Sequence, residues 1–260
     1  MFVSNDIGLL VVVGCYGLLI GSFLNVVSLR VPEGHSVVFP PSTCPHCQHR
    51  LKAVDLVPVF SYIWLRGKCR YCFSKISLQY PLGELLTALL MVITAQCIGW
   101  SSELATGIVF VAMLVAVTLT DLRTMLIPDK ILLVSMAFLI PLRIWSHPLG
   151  YSDYMIGALL GSGMIFALIV ISFWILKKEG MGLGDCKLMI VVGWVVGIKA
   201  TLLTLFLASF IGGLVGILLI VTKRAERGSY IPFGPYLALG AWISYLWGDA
   251  LLDWYFGLYI

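Results

Sequence analysis

The feature that most constrains this chain is a succession of apolar runs, most of them about as long as a bilayer is thick. A helix needs roughly 17–25 mostly apolar residues to cross the hydrocarbon layer. Runs are predicted at 7–27, 81–99, 104–120, 131–146, 154–176, 188–198, 200–222 and 233–248, with Lys199 marking the turn between the short sixth run and the seventh. Composition forces the same conclusion. Of the 260 residues 60% are hydrophobic and 12% charged, against about 45–50% and about 25% in soluble domains. A soluble core of this size cannot hide that surface, so lipid must solvate it. The expected fold is an all-α polytopic membrane protein of about eight transmembrane helices. Asp6, rather than a basic segment, precedes the first run, and no small-residue cleavage site follows it. It is therefore read as a retained span and not a secretory signal.

Basic residues give the orientation. Of the 17 Lys and Arg, all but Arg143 and Lys199 fall in alternate loops, at 28–80, 121–130, 177–187 and 223–231. Loops enriched in Lys and Arg stay in the cytoplasm, so these four are assigned there and both termini to the opposite side. A six-span arrangement would put one basic cluster on the wrong face.

The long first loop contains Cys44-Pro-His-Cys47 and Cys69-Arg-Tyr-Cys72, two C-x2-C pairs separated by 21 residues. Each tight turn can present two thiolates to one ion, and two pairs at this separation fit a four-cysteine zinc site. A metal would also supply folding energy to a loop that has little core. Two disulfides are the alternative, which a reducing cytoplasm disfavours. His46 and His49 lie close enough to compete as ligands, but both are read as solvated side chains. Cys15 and Cys97 fall inside spans and are read as small apolar packing residues.

Ionisable residues at the edge of spans are costly and mark functional sites by default. Glu84, Asp121, Asp129 and Asp185 qualify. On the assigned topology Asp121 and Asp185 share one cytoplasmic level although 64 positions separate them. Two adjacent carboxylates can divide hydrolysis between them, one protonated as acid and the other ionised to activate water. The plainer alternative is that each caps a helix, Asp185 before the sixth run and Asp129 before the fourth. Around Asp185 lie Gly180, Gly182 and Gly184, which admit close approach of another backbone. Lys187, two residues on, is expected to favour ionisation of Asp185.

Several ordered motifs belong together: GSFLNVVSLRVP (21–32), the two cysteine pairs, DLVPVFSYIWLRGKCRYC (55–72), ISLQYPLGELLT (76–87), TDLRT with IPD (120–129), GLGD followed by CK (182–187), and PFGPYLALGA (232–241). In this order they resemble the bacterial prepilin peptidases, the G-x-G-D membrane aspartic proteases of type IV pilus and type II secretion systems. The resemblance implies that Asp121 and Asp185 are the catalytic pair. It implies cleavage of a short basic leader from type IV prepilins and pseudopilins at the cytoplasmic face of the inner membrane, between Gly and usually Phe. Members with the four-cysteine loop also methylate the new N-terminal amine with S-adenosylmethionine, and all four cysteines are present here. Asn25, Arg30 and Glu84 flank that loop and are assigned to cofactor or amine contact, with span-end capping and charge anchoring as their plainer roles.

The expected organisation is a first span at 1–27, a cytoplasmic zinc-binding loop associated with methyl transfer at 28–80, and a membrane peptidase core at 81–260. Prepilins and the lipid bilayer are the expected partners, with no nucleic acid. The competing readings are a peptidase whose zinc loop serves only folding or docking, and a non-enzymatic scaffold or ion transporter with buried acids.

Overall fold

A computed structural model describes residues 6–176, 182–223 and 231–257. Lys177, Lys178, Gly180, Arg224 and Arg227 lie outside the described residues. The described chain is helical: α1 (Ile7–Arg30), a 3-10 turn (Ala53–Leu56), α2 (Phe60–Trp64), α3 (Gln79–Ile98), α4 (Ser102–Thr124), α5 (Asp129–Trp145), α6 (Tyr151–Leu176), α7 (Leu183–Val221) and α8 (Gly234–Gly257). Among the described residues five helices, α1, α3, α4, α6 and α7, are long and apolar enough to cross a membrane. Their outer faces carry large apolar side chains, such as Phe166, Phe173, Phe206 and Ile217, each more than half exposed. Patches of that extent are untenable in water and natural in lipid.

The chain divides into two compact units, Met1–Leu119 and Thr120–Ile260. In the first, α1 packs on α3 through glycine. A Cβ at Gly17 would lie 2.7 Å from the Ala88 Cα, and one at Gly21 equally close to the Glu84 Cα. This is the small-xxx-small pattern by which membrane helices bring their backbones together.

In the second unit α7 packs against α6 and α8 by the same device. A Cβ at Gly193 would stand 2.4 Å from Gly157 backbone atoms, and one at Gly240 would stand 2.8 Å from the Thr204 carbonyl oxygen. A straight helix of the 39 residues of α7 would be about 58 Å long, nearly twice the hydrocarbon thickness of about 30 Å. It is not straight. Gly197 has φ 75° and ψ −178° inside it, a conformation open to glycine and strained for any other residue.

The break thus falls at Gly197, two residues before the turn expected at Lys199. Beside it the Val195 carbonyl accepts from the Arg143 Nε at 2.9 Å, and the Arg143 Nη1 donates to the Ser146 carbonyl. The guanidinium stacks over Tyr154 at 5.0 Å from the ring centroid. Arg143 is 2% exposed. Its exception to the charge pattern has a local cause: it is a buried donor to carbonyls at a helix break.

Candidate active site

The two cysteine pairs form matching turns. In each, the first cysteine's N–H donates to the carbonyl five residues on, Cys44 to His49 at 3.0 Å and Cys69 to Ser74 at 2.8 Å. In each, the residue after the second cysteine has positive φ, 56° at Gln48 and 58° at Phe73. One antiparallel bridge closes each turn, Thr43 with Arg50 and Lys68 with Lys75. The four Sγ atoms lie within 4.8 Å of one another, and those of Cys44 and Cys72 are 3.8 Å apart.

Tetrahedral zinc with Zn–S of about 2.3 Å requires sulfurs about 3.8 Å apart, so the four thiols fit such an ion. Cys44 is drawn down to about 6 by the backbone N–H of Cys47. Cys47 is pushed up to about 11, because burial and the neighbouring Cys72 and Cys44 outweigh the N–H of His49. No histidine belongs to the cluster; His46 and His49 are exposed, and the His49 ring lies 3.7 Å from that of Tyr71.

Beside this cluster is a cavity of about 490 Å³, bordered by Cys44 and Cys69 and by Asn25, Arg30 and Glu84 together. Three residues from the ends of α1 and α3 are thereby gathered at one site. Asn25 is 2% exposed and its Nδ2 donates to the Tyr80 carbonyl at 3.0 Å. Glu84, one turn into α3, accepts from the Val59 N–H at 2.8 Å. Arg30 ends α1 and donates to the Ser36 carbonyl at 3.1 Å. Across the cavity Arg70 pairs with Asp55 at 2.6 Å. Although desolvation opposes it, the Arg70 guanidinium, the Lys52 N–H and the Tyr71 hydroxyl hold the Asp55 carboxyl below its ordinary range. The volume suits a ligand of S-adenosylmethionine size. Its mix of carboxylates and guanidinium groups suits a molecule bearing ammonium, carboxylate and sulfonium.

The second unit brings the two aspartates together. Asp121, in the last turn of α4, is 5% exposed, and Asp185, in the first turn of α7, is 7% exposed. They lie within direct charge–charge range of each other. The Gly234 N–H, at the start of α8, donates to Asp121 Oδ2 at 2.9 Å. The Gly182 N–H donates to Asp185 Oδ2 at 3.3 Å.

The capping expectations need correction. Gly182 is the N-cap of α7 and Asp185 its third residue, so its carboxylate reaches back to the cap rather than being the cap. Pro128, not Asp129, caps α5. Lys187 is also placed differently from expectation: its Nζ donates to both Asp129 oxygens at 2.8 Å, so its ion pair is with Asp129 rather than Asp185.

Residues 15–98 match the bacterial peptidase A24 N-terminal domain, and residues 108–217 match the type IV leader peptidase family. The chain is 38% identical over 270 residues to a prepilin leader peptidase/N-methyltransferase of Aeromonas hydrophila, covering 92% of this chain and 91% of that one. The chain belongs to the type IV leader peptidase family. A relative of the same name from Bacillus subtilis is 35% identical over 240 residues, covering 92% of this chain and 95% of its own. One from Pseudomonas aeruginosa is 34% identical over 262 residues, covering 90% and 89%. No solved structure matches the chain.

For a leader peptidase of this family, sequence reasoning missed three residues of the geometry, Gly234, Asp55 and Arg70. Gly234 was visible only as part of PFGP, and nothing in that string says that its N–H meets Asp121. Asp55 and Arg70 sit inside the long motif around the second cysteine pair, 15 positions apart. Only the fold of the loop turns that separation into an ion pair.

Proposed function

We propose that this multi-pass membrane enzyme removes the leader peptide of type IV prepilins through Asp121 and Asp185, and then methylates the exposed N-terminal amine at the cavity beside the four cysteines. The observation that carries the reading is the meeting of Asp121 and Asp185, 64 positions apart, as two buried carboxylates at the ends of apolar helices. Burying two carboxylates within charge–charge range of each other at a membrane edge is costly, and a pair sharing one proton would give that arrangement a chemical use.

In the proposed reaction the ionised carboxylate accepts a proton from water, and the resulting hydroxyl attacks the carbonyl before the scissile bond. The protonated carboxylate donates a hydrogen bond to the developing oxyanion, and a proton passes to the leaving amine. The N–H of Gly234 holds Asp121 in position and that of Gly182 holds Asp185. The basic loops support placing this chemistry at the cytoplasmic face of the inner membrane. Eight crossings follow if α5, α8 and each arm of α7, 183–196 and 198–221, count as spans. The peptidase core is assigned to 81–260 and methyl transfer to the loop at 28–80 with its flanking helix ends.

Cys44, Cys47, Cys69 and Cys72 would hold structural zinc, fixing the two turns that border the cavity. S-adenosylmethionine would supply an electrophilic methyl group when bound there. Glu84 would accept the proton lost by the acceptor amine, while Asn25 and Arg30 would orient the ligand's polar ends.

Mass spectrometry of the N-terminus of a prepilin incubated with the purified enzyme and S-adenosylmethionine tests both activities. The expected product lacks its leader and is one methyl group heavier at the new amine. Normal processing by the Asp185→Asn enzyme would overturn the proposal.

A further inference from the structure

We propose that α2 is an interfacial anchor that lies at the boundary between the anionic headgroups and the acyl chains and holds one wall of the cavity at that depth. The helix is only five residues long, Phe60–Trp64, yet its two faces differ sharply. Ser61 and Tyr62, with Leu65 just beyond the helix, line the cavity. Phe60, Ile63 and Trp64 are 68%, 66% and 82% exposed. Their spacing, i, i+3 and i+4, puts all three on one side of a helix.

Three observations commit this face to lipid. The first is depth. The N–H of Val59, immediately before α2, donates to the Glu84 carboxylate, and Glu84 lies five residues inside α3, a helix apolar enough to span. The 20 residues of α3 extend about 30 Å, the thickness of the hydrocarbon layer. The start of α2 is therefore pinned about 7.5 Å along that span, within the roughly 5–10 Å to which interfacial helices sink.

The second is continuity. Leu78, Leu82 and Leu85 of the same stretch of chain are 62%, 59% and 48% exposed, so α3 also presents apolar side chains outward at this level. The third is charge: Arg66 and Lys68 follow α2 directly and are exposed. Aromatic side chains beside basic ones are the composition of segments that settle among anionic headgroups.

The functional consequence rests on the methyl-transfer reading of the cavity, whereas the anchoring does not. A prepilin's new amine ends an apolar helix that lies in the bilayer, so it emerges at headgroup depth. A wall of the cavity fixed at that depth would meet the amine without withdrawing the helix from lipid.

The test uses the full-length enzyme in nanodiscs containing anionic lipid, with the acyl chains brominated near their headgroup ends or left unmodified. Trp64 emission is taken as the difference between the wild type and Trp64→Phe. It is expected to lose most of its intensity in the brominated discs, and Phe60→Trp in the Trp64→Phe background should restore a quenched component. Equal Trp64 emission in both kinds of disc would overturn the proposal and leave the face to a protein partner or a second copy of the chain. Quenching without methyl transfer by the wild type would uphold the anchor and count against the cavity's assigned chemistry. Ile63→Glu should reduce methylation while leader cleavage persists.

Discussion

The N–H of Gly234 donates to Asp121 Oδ2 at 2.9 Å, joining the start of α8 to the last turn of α4 across 113 positions. A Cβ at Gly234 would stand 2.7 Å from that same oxygen, so the bond exists only because residue 234 lacks one. Gly234→Ala is expected to displace the carboxylate and lower kcat for leader cleavage about 100-fold, the scale of a 1 Å misplacement. Methylation of a peptide supplied without its leader should continue. Alanine is otherwise the better helix residue, so an unchanged or raised Tm with lost cleavage would separate geometry from folding.

Asp121→Asn and Asp185→Asn should each reduce leader cleavage by at least about 100-fold, the lower range for loss of a general acid or base. The double variant should be little worse than either single one, because the two groups act as a unit. In the wild type the rate should fall on both sides of an optimum, since one carboxylate must hold a proton and the other must not. Gel-based cleavage of a prepilin over a pH series, with each variant alongside, checks all three expectations.

Lys187→Met should reduce cleavage by less than about fivefold. The Lys187–Asp129 pair is half exposed on both sides, at 49% and 59%, and such pairs contribute about 1 kcal/mol or less. Because the ammonium bonds Asp129 rather than Asp185, the pH–rate profile should keep its position. A displaced optimum would mean that Lys187 acts on Asp121 and Asp185 directly.

The sequence disclosed most of this site because its strongest signals are local. Cys44-x2-Cys47 and Cys69-x2-Cys72 needed no tertiary information, since each turn is built from its own residues and the pairs differ only in what surrounds them. The apolar runs were legible for the same reason, down to the separation of α7 into two stretches. Atom-level contacts between distant segments were not. The Gly234 N–H on Asp121, the Val59 N–H on Glu84 and the Lys187 ion pair with Asp129 depend on which helix ends become neighbours. The misplacement of the α7 break has a smaller cause: Lys199 is conspicuous as a charge, while Gly197 holds the backbone conformation that makes the turn.

If the four thiols hold zinc as proposed, Cys44→Ser should remove the metal and the methyltransferase activity together while leader cleavage continues. Cys44 is buried at 5% exposure and shares a 3.8 Å sulfur contact with Cys72, so serine leaves an incomplete thiolate set against the remaining three. An ion held by the four thiols as proposed would then be lost from the two turns, and with it the Cys44 and Cys69 border of the cavity. Asp121 and Asp185 belong to the other compact unit, which is why cleavage is expected to survive. Prolonged treatment with a strong chelator should reproduce the phenotype in the wild type, and added zinc should reverse it. Elemental analysis reads the metal, and mass spectrometry of the pilin N-terminus reads both activities. Full methylation by a zinc-free Cys44→Ser enzyme would remove the metal from the transferase and leave it a role in folding alone.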